Sequence, residues 1–169
     1  MGTPDPHILE CPLQIKTLVP TALAVTATGV IGGIATKPAV QSAWWANLRK
    51  PSFQPPAAVF PIAWNALYSD IAAVSAATID EAPPQVRRSY IRALAVNLVL
   101  NGGWSWLFFN RRKLGASAVT AGLLAASSAD LTRRAVAVRG AKAAPLALYP
   151  AWCTFATVLS TSIWALNRR

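Results

Sequence analysis

The chain has almost none of the residues from which active sites are commonly assembled. One histidine, His7, and two cysteines, Cys11 and Cys153, are all that 169 residues supply. The imidazole sits in the N-terminal tail, away from every apolar run, so it offers no internal base or metal ligand. Two isolated cysteines give neither a metal-ligand spacing nor a disulfide framework, and they read as small apolar fillers. Nucleophile-elbow, phosphate-cradling and metal-cluster motifs are also missing. Ordinary hydrolytic or redox chemistry therefore has no foothold, and no catalytic residue, metal or cofactor is expected.

Charge is scarce as well. Only 13% of residues are charged, against about 25% in soluble domains, while 54% are hydrophobic and the mean hydropathy is +0.38. Acidic residues number six against sixteen Lys and Arg, giving a formal net charge of +10. In a soluble protein that excess would suggest nucleic acid. Here the cations stand in short clusters beside apolar runs: Arg87/Arg88/Arg92, Arg111/Arg112/Lys113, Arg133/Arg134, Arg139/Lys142 and Arg168/Arg169. They read as juxtamembrane residues meeting anionic lipid, and nucleic acid is not an expected partner.

What the chain does have is hydrophobic length. Nearly charge-free runs cover 17–36, 57–79 with Asp70 alone, 93–110, 114–129 and 143–167. Most reach or approach the roughly 20 apolar residues that carry a helix through about 30 Å of hydrocarbon. The reading is an all-α membrane protein: five transmembrane helices at about 13–36, 57–79, 90–110, 114–136 and 145–167, in one domain over 13–169. The fourth run meets Asp130, Arg133 and Arg134 early, so four helices plus an interfacial segment is the alternative. Residues 1–12 form a polar tail without the basic start of a signal peptide, and the first helix is expected to stay as an anchor. Lys and Arg divide eight to eight between the two sides of this arrangement, so the positive-inside bias does not set its orientation.

The first connector, 37–56, is the longest, and long loops in compact proteins are usually functional or disordered. Trp44, Trp45, Phe53 and the Pro55-Pro56 pair favour an ordered, interfacial lid across one end of the bundle. Beneath it, three helices each turn an aromatic and polar stripe to one side. Asn97, Asn101, Trp104 and Phe108 are spaced by four, three and four; Tyr149, Trp152, Ala156 and Ser160 share a face; so do Pro61, Trp64, Asn65 and Tyr68. Amides in mid-membrane are costly unless bonded. They either tie neighbouring helices together or line a pocket with apolar walls and a few polar groups. Asp70 projects away from Trp64 and Tyr68, and it reads as protonated or bonded to another helix rather than as a ligand group. Gly29 and Gly33, like Ala118, Gly122 and Ala126, mark close helix packing within the monomer or in a dimer.

These residues resemble the TspO/MBR family of translocator proteins, also described as tryptophan-rich sensory proteins or peripheral benzodiazepine receptors. The family's central signature is similar to Asn47-Leu48-x-Lys50-Pro51-x-Phe53-x-Pro55-Pro56, then Val59-Phe60-Pro61-x-x-Trp64-x-x-Leu67-Tyr68. A second block looks like Asn97-Leu98-x-x-Asn101-x-x-Trp104-x-x-x-Phe108-Phe109, and a third like Tyr149-x-x-Trp152 with Leu166-Asn167.

The resemblance implies five transmembrane helices, a first loop capping an internal ligand pocket, and a homodimer; the richness in Ala and Arg, a compositional sign of a GC-rich bacterium, sets the expectation of a bacterial plasma membrane. It implies a receptor or regulator that binds porphyrins such as protoporphyrin IX, with sterols as a second class, and takes part in porphyrin transport or stress response. By position, Trp64, Asn101, Trp104 and Trp152 match its pocket; Phe53, Tyr68, Asn97, Phe108 and Tyr149 complete the ligand-binding set. The alternatives are an enzyme degrading porphyrin in light through Trp64 and Trp152, and a transporter, for which no inverted repeat speaks. Several positions depart from the family pattern: Phe53 stands where tryptophan is usual, Asn97 where glutamine is common, and Ser160 where asparagine is frequent. The segment 163–168 lacks the tyrosine of the animal cholesterol motif, and only the loose pattern around Tyr90, 86–92, remains for a sterol.

Overall fold

The computed structural model describes residues 14–168, and the expected tail with His7 and Cys11 lies outside them. Among the described residues all regular structure is helical. The long helices are α1 (Ile15–Val40), α3 (Val59–Glu81), α4 (Pro84–Ser105), α5 (Leu114–Arg139) and α6 (Leu148–Asn167), with a short α2 (Ala43–Asn47) in the first connector. They hold 20 to 26 residues each, which at 1.5 Å per residue is about 30–39 Å, enough to cross a bilayer core. The stretches Ile15–Val40 and Leu114–Asn167 are also apolar enough to do so by composition. The other two helices carry Asp70, Asp80 and Glu81 in α3 and Arg87, Arg88 and Arg92 in α4.

Several ends differ from those expected, each for a local reason. α1 runs through Lys37 and Pro38 to Val40, because a cation in the last turn complements the helix dipole. α4 begins at Pro84, before its arginines; proline at the first helical position gives up only an N–H that has no helical partner there. α4 then passes into a π-helical turn, Trp106–Asn110. α5 continues unbroken to Arg139 and stops at Gly140, whose φ of +58° a side-chain-bearing residue rarely adopts. A 3₁₀ stretch, Gly140–Ala147, delays the start of α6 to Leu148.

The helices form a ring in which α1 packs on α3 and α4, α4 on α5, and α5 on α6. The ring is weakest between α3 and α6, which meet at few points. Hydroxyls that would be orphaned in lipid bond to the carbonyl one turn back, as in Thr28 to Ala24, Thr36 to Gly32 and Thr157 to Cys153. Gly29 lets the Tyr68 ring lie against the α1 backbone; a Cβ there would come within 2.9 Å of it. That uses Gly29 inside the monomer, whereas Gly33 has no neighbour within 4 Å of its Cβ position. Asp70 is not bonded to another helix: its buried Oδ2 has no partner among the described residues. At the end away from the loop, Arg139 pairs with Glu81 at 3.1 Å and the Gln14 amide donates to Asp80 at 3.0 Å.

Candidate ligand site

The seam between α3 and α6 is lined with aromatic rings. Phe60, Trp64 and Tyr68 recur every four residues on α3, and Tyr149, Trp152 and Phe155 every three on α6, so each set forms a stripe facing the other helix. Trp64 stacks on Tyr68 with centroids 5.3 Å apart, and meets Tyr149 and Trp152 edge to face, both at 6.5 Å. Phe60 and Phe155 flank Trp152 at 6.0 and 5.4 Å. Trp64 and Trp152 are half-buried, while Tyr149 is fully enclosed.

Below these rings runs a directed chain of hydrogen bonds. The Tyr68 hydroxyl donates to Asn101 Oδ1 at 2.8 Å, Asn101 Nδ2 donates to the Tyr149 hydroxyl at 3.1 Å, and that hydroxyl donates to Asn97 Oδ1 at 2.8 Å. Asn97 Nδ2 then donates to Ser127 Oγ on α5 at 3.2 Å. Both amides are almost completely buried, and each uses its oxygen and its nitrogen on a different helix or residue. The chain thus ties α3, α4, α5 and α6 together, and it gives the aromatic seam a polar floor.

Trp104 and Phe108 belong to a neighbouring cluster nearer the loop. Trp104 Nε1 donates to Ser160 Oγ at 3.3 Å, and its ring lies 5.8 Å from that of Phe108. Phe108 in turn meets Trp44 and Trp45 of α2 edge-on at 6.2 and 6.4 Å. The connector is held down from both sides. Ser42 caps α2 by accepting from the Trp45 amide, and Lys50 Nζ donates to the Trp45 carbonyl at 2.6 Å while lying 4.4 Å over its ring. Asn167, at the end of α6, accepts from the Arg49 amide at 3.0 Å and donates to the Arg49 carbonyl at 2.8 Å, as a paired strand would. Phe53 reaches the seam only through Phe155, 6.5 Å away edge-on, and is itself half exposed.

Of the nine expected ligand residues, Trp64, Tyr68, Asn97, Asn101, Tyr149 and Trp152 come together at the seam and its floor. Trp104 and Phe108 sit under α2, and Phe53 is at the rim. The sequence reading missed Phe155 and Ser127 as members, and the clamping role of Asn167. Phe155 could have been found three residues beyond Trp152; nothing in the spacing of Ser127 singles it out.

The family model for TspO/MBR matches residues 21–165. The tryptophan-rich protein TspO of Archaeoglobus fulgidus is 31% identical over 159 residues, covering 92% of this chain and 99% of that protein. Protein CrtK of Rhodobacter capsulatus is 28% identical, covering 86% of this chain and 89% of its own length. The human translocator protein is 31% identical over 73% of this chain and 75% of its own. The matched span takes in α3, α4 and α5 whole, most of α1 and α6, the connector and the aromatic seam, and the chain is a membrane protein that belongs to the TspO/MBR family.

Proposed function

We propose that the protein is a receptor or regulator of the translocator-protein type that binds a planar tetrapyrrole, such as protoporphyrin IX, between α3 and α6 beneath the first connector. The observation that carries this reading is the pairing of half-buried Trp64 and Trp152 across the one seam where neighbouring helices have little packing to lose. A flat macrocycle entering there parts the two rings and replaces their edge contact with stacking on both faces. Phe60 and Phe155 extend the apolar walls, and the bonded amides below hold the floor rigid. Of the two connector cations, Lys50 is already engaged with Trp45, which leaves the Arg49 side chain for a propionate at the mouth.

A sterol fits less well. The pattern over 86–92 depends on Tyr90, which is fully buried with its hydroxyl 3.0 Å from Ser75 Oγ. The setting we propose is a bacterial plasma membrane, with two copies forming a homodimer and ligand occupancy modulating porphyrin transport or a stress response.

Titrating protoporphyrin IX into the purified protein should quench its tryptophan emission to saturation. Trp152→Ala combined with Asn101→Ala should abolish that saturation, because one wall and the hub of the floor are removed. Saturable quenching unchanged in the double variant would overturn the site.

A further inference from the structure

At the end away from the connector, α4 and α5 diverge into a groove of 570 Å³, within the roughly 300–1,000 Å³ typical of small-molecule sites. One stripe of α4 forms its first wall: Arg88, Ser89, Arg92 and Val96, spaced by one, three and four residues. Across it, α5 presents Ser127, Asp130 and Arg134. Three arginines thus face one aspartate.

The pairing of these charges is uneven. Asp130 is taken up by its own helix, accepting from Arg133 at 2.6 Å and from Arg134 at 2.5 Å. The remaining fork of Arg134 crosses the groove to Ser89 Oγ at 2.6 Å and sets its width. Arg88 and Arg92, one helical turn apart and both exposed, have no acidic partner among the described residues. Two guanidinium groups on one face, four residues apart, are about 5–6 Å from each other at Cβ and repel unless an anion lies between them. Their planar forks suit a phosphate.

The lower groove is different in kind. Ala93 lines it beside Arg92, and Val96, one turn deeper, is 58% exposed. The groove therefore grades from cationic at the helix ends to apolar toward the membrane middle, which is the gradient of a phospholipid standing in its leaflet. We propose that this groove binds an anionic glycerophospholipid, its phosphodiester between Arg88 and Arg92 and its acyl chain along Val96. The membrane is the source of the ligand, because a free phosphate would have no use for the apolar continuation.

The proposal does not depend on the tetrapyrrole reading, and its test is independent of it. The full chain, purified in neutral detergent, is mixed with palmitoyl-oleoyl phosphatidylglycerol or phosphatidylcholine, and retained lipid is counted by native mass spectrometry. Phosphatidylglycerol should be retained in preference. Arg88→Gln with Arg92→Gln should weaken it about thirty-fold, from about five-fold for each cation at a headgroup, and millimolar inorganic phosphate should not displace it. Helicity and melting temperature should stay unchanged, since both side chains point outward. The single change Arg92→Glu, which places a carboxylate beside the phosphodiester, should give at least the loss of the double variant. Equal retention of the two lipids, equal binding by wild type and both variants, or displacement by inorganic phosphate would each overturn the assignment.

Discussion

The two ends of the bundle hold cations in different ways. At the connector end, Lys50, Arg112 and Arg168 lie over the rings of Trp45, Trp44 and Trp164 at 4.4, 5.2 and 5.7 Å. At the opposite end, Arg133 and Arg134 share Asp130 and Arg139 takes Glu81. Among the described residues, every acid except Asp70 is at that opposite end, so the connector end has only aromatic faces and carbonyls to offer its cations. A cation over tryptophan is worth about 0.5–2 kcal/mol depending on desolvation, and an exposed ion pair about 0–1 kcal/mol. The lesson is that an even cation count hides an uneven use. The aromatic end is organised as a cover, and the ionic end leaves Arg88 and Arg92 unspent.

The comparison makes ranked predictions. Trp45→Ala should be the most disruptive, since it removes the ring shared by Lys50, Phe108 and Phe109; a loss of about 3 kcal/mol, at the low end for buried Trp→Ala, is expected in unfolding from micelles. Next is Tyr149→Phe, between the two ends. Without the hydroxyl, buried Asn97 Oδ1 and Asn101 Nδ2 lose their shared partner, at about 2 kcal/mol. Asn101→Leu in the same background would then cost less than in wild type, and additivity of the two changes would break the account of the chain.

Asn167→Ala should cost about 1 kcal/mol, felt locally: hydrogen exchange should quicken at the Arg49 amide, and bound porphyrin should dissociate faster, while the far end is unaffected. The smallest effect belongs to Asp130→Asn, about 0.5 kcal/mol or less because Arg133 is largely exposed and the half-buried Arg134 keeps its bond to Ser89, and it should vanish in molar salt. If Asp130→Asn proved costlier than Asn167→Ala, the contrast between the ends would be reversed.

Much of this architecture is legible in the sequence because lipid permits few alternatives: a spanning segment satisfies its own backbone, so a charge-free run of sufficient length implies a helix. Helical spacing likewise puts Asn97 with Asn101, and Trp64 with Tyr68, on common faces. Spacing does not say which helix each face meets. Trp104 and Asn101 share a stripe, yet one bonds to Ser160 under the connector and the other to Tyr68 and Tyr149 at the floor. Charge misplaces helix ends, since Lys37 and Arg87 stand inside helices whose dipoles, caps and outer faces accommodate them. Ser127 and Asn167 were beyond reach because their roles arise from partners 30 and 118 residues away.

The central claim is that the aromatic seam, and not the arginine groove, takes the tetrapyrrole. Protoporphyrin IX titrations of wild type, Trp152→Ala/Asn101→Ala and Arg88→Gln/Arg92→Gln, followed side by side by tryptophan quenching, test it directly. The account predicts saturable quenching in the wild type and the arginine variant and its loss in the seam variant. Saturable quenching that survives in the seam variant and disappears in the arginine variant would contradict it.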